Sequence, residues 1–382
     1  VQTGFGPFVS VYLTGQRWTQ VDIGLVLSAA GFVSLIGQMP GGALVDAARS
    51  ERFVAGIAVV AICVSALTFA VLPIFPMILA GSVLHALASC VLGPAMAAIS
   101  LGLVGHAAMS ERLGRNARFA SIGNGLAAAA MGACGYLLSA RAVFVVTVLL
   151  LVPALISLRL IAPGEIDPER AHGARPRMPR IKPPIKPGEL MHNRPLLIFA
   201  GCLLLFHLAN SAMLPLMGSV VTMRSSQWAT LIIAACIVVP QLLVAALSPW
   251  IGRQAQSWGR RPLLLIGFVA LPIRGILFAV VTSPSLLLIV QLLDGVTAAV
   301  FSVMVPLVVA DLTRGTGRFN LGQGILGTAT GIGAALSMTF AGYMTDHFGS
   351  PAAFSALAAI AFAGLTVLWL LMPETRPEGE SA

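Results

Sequence analysis

Apolar runs long enough to cross a bilayer follow one another along the whole of this sequence, parted only by short breaks rich in charge, proline or glycine. A helix needs about 20 apolar residues to span a hydrocarbon core of about 30 Å. Inside that core only helices and closed barrels satisfy their own backbone groups. Continuous runs, rather than short stretches of alternating polarity, exclude the barrel. Of the 382 residues, 57% are hydrophobic and 10% charged, and the mean hydropathy is +0.92. The chain reads as an all-α polytopic membrane protein.

The runs divide into twelve expected transmembrane helices, at approximately 1–14, 21–45, 53–72, 76–104, 119–139, 142–161, 195–218, 227–250, 262–282, 285–309, 320–345 and 351–372. The first is short, reaching only about 21 Å at 1.5 Å per residue, so part of that helix is expected to precede Val1. Lysine and arginine mark the cytoplasmic side. One side receives Arg49, Arg52, Arg112, Arg115, Arg118, Arg159, the cluster Arg170 to Arg194, Arg253, Arg260, Arg261, Arg314, Arg318 and Arg376; the other receives Arg17, Arg141 and Arg224. Both termini are therefore expected in the cytoplasm. Trp18, Trp228, Trp250, Trp258, Trp369, Tyr12, Tyr136 and Tyr343 fall near expected helix ends, where amphipathic rings favour the headgroup level. The expected organisation is a six-helix half at 1–161, a basic, proline-rich and semi-extended cytoplasmic linker at 162–194, a second six-helix half at 195–372, and a cytoplasmic tail at 373–382.

The five cysteines stand singly in apolar runs without metal-ligand spacing and read as small buried hydrophobes. The net charge of +9 is spent on the membrane rule, which removes the reason to expect a nucleic-acid partner. A phosphate-binding loop needs Gly-Lys-Ser/Thr, but Lys182 and Lys186 are each followed by proline. No paired acidic motif for a divalent metal lies within the runs. Neither an enzyme nor a bound metal or cofactor is expected.

Asp294 is the acid placed deep within an apolar run; the others lie at or beyond the ends. Arg274, about 18 Å into the ninth segment from the basic side, and Asp294, about 14 Å into the tenth from the other, are level to within a turn. An ionisable residue at such depth costs several kcal/mol or so and is a candidate for function; a structural ion pair is the alternative. His207 lies near the middle of the seventh segment with Asn210 one turn on. His85 in the fourth lies close to the place of Asp294 in the tenth when each is counted from the proline opening its run, Pro76 and Pro284. Gln38, Asn124, Gln241, Gln291 and Gln323 add uncharged polar groups. The alternative for either histidine is a hydrogen-bonded packing residue.

The two halves repeat. Pro7 precedes Gly42 as Pro215 precedes Gly252; Arg118-Phe119 and Arg318-Phe319 open corresponding segments; Gly135-Tyr136 matches Gly342-Tyr343. Parallel six-helix repeats are a known transporter architecture. The loop after the second segment reads Gly42-Ala-Leu-Val-Asp46-Ala-Ala-Arg49-Ser-Glu-Arg52, and its counterpart reads Gly252-Arg-Gln-Ala-Gln256-Ser-Trp-Gly259-Arg260-Arg261. These are complementary partial copies of one signature, with Pro373-Glu374-Thr375 after the last segment, and over its full length the chain resembles the major facilitator superfamily.

The resemblance implies a monomeric transporter that works by alternating access, and the arginine-rich, lysine-poor, alanine-rich composition points to a bacterial inner membrane. Asp46 would act as a gate by docking on a helix N-terminus, and Gly42, Gly252, Gly259, Arg260 and Arg261 would shape the gating loops. It also implies that the first, fourth, seventh and tenth helices line the cavity, which places His85, His207 and Asp294 on it. The spacing Gly123, Gly132, Gly135 matches half of an antiporter signature. The expected activity is proton-coupled efflux of a small amphipathic molecule. Carriage of an organic anion such as a metabolite or siderophore stands as the alternative, and a receptor or scramblase on the same fold as another class.

Overall fold

The computed structural model describes residues 9, 12–13, 15–139, 141–173, 187–224, 226–281 and 283–376. Most of the first segment, the linker centre with Arg175, Arg177, Arg180, Lys182 and Lys186, and the side chains of Tyr136, Arg224 and Trp228 lie outside the described residues.

The long helices are α1 (Gln20–Ala47), α2 (Glu51–Val71), α3 (Phe75–Val104), α4 (Met109–Leu137), α5 (Ala142–Leu149), α6 (Leu151–Leu160), α7 (Arg194–Asn210), α8 (Met213–Arg224), α9 (Ser226–Ser257), α10 (Arg260–Val280), α11 (Pro284–Leu312), α12 (Phe319–Phe348) and α13 (Ser350–Leu371). Among the described residues there is no strand, and nine helices are long and apolar enough to cross a membrane. Helix starts follow capping chemistry. Thr19 accepts the Asp22 N–H at 3.1 Å, Ser50 that of Phe53 at 3.3 Å, and Asn193 that of Leu196 at 3.2 Å. Pro76 and Pro195 occupy first turns, where a missing N–H goes unfelt.

Three boundaries differ from the sequence reading. α4 begins at Met109, not near 119: the polar stretch ahead of the apolar run is helical too, carrying an Arg115–Glu111 pair one turn apart at 2.5 Å. The sixth and seventh segments each break, near Leu150 and near Ser211.

The chain forms two compact units. Unit 1 comprises residues 1–105, 123–185 and 314–324; unit 2 comprises 106–122, 186–313 and 325–382. α4 is thus divided between the units about midway along its length, and α12 near its N-terminal end.

In unit 1, α3 packs on both α1 and α2, and α5 and α6 on α2. Tyr12, Phe69, Ile78 and Phe144 centre its core. Tyr12 donates to the Phe69 carbonyl at 3.0 Å and meets the Phe144 ring at 4.9 Å, so it is a packing residue rather than a headgroup anchor. The start of the linker is folded, not extended. Ile166 and Ala171 join Val45, Ala55 and Ala98 in an apolar cluster, and the Asp167 N–H donates to the Gly102 carbonyl at 3.2 Å.

In unit 2, α9 packs on α11, and α10 on α11 and α13. Phe206, Phe268 and Phe301 form an aromatic knot with centroids 4.4 to 5.3 Å apart. In both units large apolar side chains such as Phe32, Leu126, Leu242 and Ile276 are exposed, as lipid-facing surfaces require.

Candidate functional site

Arg274 heads the buried polar group of unit 2. It stands in α10, only 2% exposed, among neighbours on its own helix that are apolar. Burying an unpaired charge is costly, and the fold places acceptors at both ends of its guanidinium. Nη1 donates to Asp294 Oδ1 from α11, and Nη2 to Asn210 Oδ1 at the end of α7. Nη2 also lies 3.5 Å from the Met213 sulfur. The Phe278 ring, one turn along α10, sits 5.8 Å from Cζ, within cation–π range. Gln291, one turn before Asp294 on α11, donates from Nε2 to Asp294 Oδ2 at 3.3 Å. The two partners differ in access: the Asp294 side chain is 28% exposed and that of Arg274 2%. A carboxylate open on one side and clamped on the other has the makings of a proton or cation acceptor.

The structure brings together four of the candidate coupling or binding residues: Arg274, Asp294, Asn210 and Gln291. His207 is half-buried on α7, edge-on to Phe206 at 5.4 Å. His85, Gln38 and Asn124 are half-buried in unit 1. Of the glutamines given no role, Gln241 accepts from Ser121 Oγ at 2.7 Å in unit 2.

Asp46 lies one residue from the end of α1, and its carboxylate meets the N-terminus of α12 within unit 1. Oδ1 accepts the Asn320 N–H at 3.0 Å and the Asn320 side-chain amide at 2.8 Å. Oδ2 accepts the Leu321 N–H at 2.8 Å. Those N–H groups belong to the first turn of α12, which has no intrahelical acceptors for them. Gly42, one turn earlier, makes the approach possible: a Cβ there would strike the Asn320 carbonyl.

The second loop, in unit 2, uses the same steric device with different electrostatics. A Cβ on Gly252 would come within 2.5 Å of the Ser110 carbonyl near the start of α4. Gln256, at the position corresponding to Asp46, donates from Nε2 to the Ala107 carbonyl at 2.8 Å. Gly259, at φ +89°, turns the chain into α10. There Glu374 accepts the Arg260 N–H at 2.8 Å and the Arg261 N–H at 3.0 Å. Arg260 bonds Asp311 at 2.8 Å, both side chains 3% exposed, and Arg261 donates to the Trp369 carbonyl. Glu374 and Asp311 join the contacts of this loop, although by sequence each is simply an acid at a helix end. The Pro373-Glu374-Thr375 match was the signal available for the first; nothing local marked the second.

Comparison with known proteins identifies the family of the chain. The family model of the Major Facilitator Superfamily matches residues 1–253 and 202–382. The chain belongs to the major facilitator superfamily. It is 40% identical over 384 residues to an MFS-type transporter of Mycobacterium tuberculosis, covering 98% of this chain and 90% of that protein. It is 29% identical over 147 residues to Multidrug resistance protein 1 of Bacillus subtilis, covering 38% of this chain and 37% of that one. The fold matches that of the proton:xylose symporter XylE with TM-score 0.72 at 14% identity, over 96% of this chain and 90% of that one.

In this major facilitator superfamily member, Asp46→Asn is expected to lower stability by about 1–2 kcal/mol, the upper range for a partly buried anion at a helix N-terminus. One amide oxygen replaces two carboxylate oxygens, and the new NH₂ faces N–H donors. Thermal unfolding of the purified protein and thiol labelling of Ala43→Cys measure the loss; unchanged melting with unchanged labelling would count against a latch.

Proposed function

We propose that this transporter exports a small amphipathic molecule by alternating access, coupled to the proton gradient. The observation that carries the reading is the carboxylate of Asp294, part-exposed on one side and held on the other by Arg274 and Gln291. An ion pair favours the ionised carboxylate, and separating the pair at mid-membrane leaves a lone charge in a medium that strongly disfavours it. Proton uptake by Asp294 then accompanies its release from Arg274, and re-pairing expels the proton. Substrate binding and helix movement compete for the same carboxylate, which links the two fluxes. The partial likeness to a Bacillus subtilis protein named for multidrug resistance supports export and an amphipathic cargo.

Asp46 docked on α12 is the gate in this scheme, engaged on the side of the membrane that carries the basic loops, which we take as the cytoplasm of a bacterial inner membrane. Carriage of an organic anion fits less well. Arg274 is the buried cation such a cargo would need, yet both its terminal nitrogens are engaged and it is 2% exposed.

Reconstitution into vesicles with an imposed proton gradient tests the proposal, using a panel of lipophilic cations, neutral amphiphiles and organic acids. The expected result is proton movement that depends on cationic or neutral amphiphiles. Proton movement with acids alone would shift the assignment to anion carriage. Lipid redistribution without any gradient dependence would overturn the transporter reading in favour of a scramblase.

A further inference from the structure

A cavity of about 520 Å³ opens on the surface of unit 1 in the angle between α2 and α6. Its two ends differ in character. At one end stand Arg52, Arg159 and Ser50; the remainder is walled by apolar side chains of α2, α3 and α6. Arg52 is the second residue of one membrane-length helix, Glu51–Val71, and Arg159 is the penultimate residue of another span, Ala142–Leu160. Both guanidinium groups therefore lie at one membrane face, the one rich in arginine. Arg52 is anchored there by donating to the Ile161 carbonyl at the end of α6. Among the described residues no carboxylate lines the cavity. Glu51, the acid of that turn, is turned inward, its side chain 3% exposed and 2.9 Å from His172.

From the arginine end the groove follows α2 from Phe53 past Gly56 to Val64, about 16 Å at 1.5 Å per residue. That is half of a ~30 Å hydrocarbon core, the depth of one leaflet. Phe53 and Ile57 are 68% and 53% exposed, which suits a surface completed by lipid. Basic pockets between membrane helices bind anionic headgroups.

We propose that this groove binds one anionic phospholipid of the arginine-rich leaflet, its phosphate between Arg52 and Arg159 and an acyl chain along α2. The site is independent of the cargo and of the coupling residues. It ties the start of α2 to the end of α6, four and six residues from the Asp46 latch at Ser50 and Arg52, so its occupancy would brace the loop that carries the gate.

The experiment counts lipid adducts by native mass spectrometry on the intact protein, titrated separately with phosphatidylglycerol, phosphatidylethanolamine and soluble glycerol phosphate. Selective binding of phosphatidylglycerol is expected. It should weaken about fivefold in Arg159→Gln and about thirtyfold when Arg52→Gln is added. Arg159 is exposed, so its single variant should keep the fold, which monodispersity and melting temperature check. Gly56→Phe leaves both charges and fills open space, since a Cβ there meets nothing within 4 Å; it should also weaken lipid binding while sparing any headgroup-only binding. Equal affinity for the two lipids, or affinity unchanged in Arg159→Gln and Gly56→Phe, would overturn the proposal. Glycerol phosphate binding as tightly as the lipid would replace it with a free-anion site.

Discussion

A protein carrying Asp294→Asn together with Arg274→Gln is expected to fold, insert and bind its cargo, yet to show no proton-driven transport. The two amides keep hydrogen-bonding capacity toward each other and toward Asn210, and no charge remains to be desolvated. Replacing a buried ion pair by well-packed apolar residues is often neutral or stabilising because two charges no longer need desolvating, and a matched amide pair shares that relief. Each single change is expected to be harsher on the fold. Arg274→Ala leaves Asp294 without its cation, and removing one partner of a buried pair costs about 3–5 kcal/mol. The double variant therefore separates coupling from structure. Its measurement is substrate flux in vesicles with and without a pH gradient, beside exchange at equilibrium. Full gradient-driven activity in the double variant would assign the pair a purely structural role and leave His207 and His85 as the proton carriers to examine.

Arg260→Ala should act on the fold and leave coupling chemistry untouched. Arg260 and Asp311 are both 3% exposed and 2.8 Å apart, and Arg260 also donates to the Ala255 carbonyl at 2.7 Å. Truncation takes the guanidinium away from a buried carboxylate and the donor away from a carbonyl at once. A loss of about 3–5 kcal/mol is expected, read as a large fall in melting temperature and in the yield of monodisperse protein. Arg260→Met with Asp311→Leu should recover much of that loss, because a well-packed apolar pair bears no desolvation cost. A melting temperature unchanged by Arg260→Ala would show that the pair contributes little.

Segment depth was legible in the sequence; helix rotation was not. Apolar runs fixed α2, α3, α10, α11, α12 and α13 to within a few residues, because lipid demands an unbroken apolar stretch whatever its neighbours. Depth counting also set Arg274 level with Asp294. It carried no information on azimuth, so the Asn210 contact from α7 could not be derived. The acids at helix ends show the same limit. Asp46, Asp311 and Glu374 all sit where a run stops, and only three-dimensional packing distinguishes an acid that meets backbone N–H groups or a buried arginine from one in water. The early start of α4 escapes hydropathy for a different reason: hydropathy reports apolar runs, whereas Met109 to Arg118 is polar and its helix carries the Glu111–Arg115 pair.

The unlike partners of Asp46 and Gln256 mean that the duplicated loop has become two parts that no longer fit each other's places. A carboxylate at 256 would face the Ala107 carbonyl oxygen that Gln256 now contacts at 2.8 Å, negative against negative. An amide at 46 would offer one oxygen to the three donors at 2.8 to 3.0 Å that now share two. The sequence repeat preserves the shape of a clasp, but its polarity runs one way in the first copy and the other way in the second, so a chimera built by exchanging the loops would inherit two mismatched fasteners.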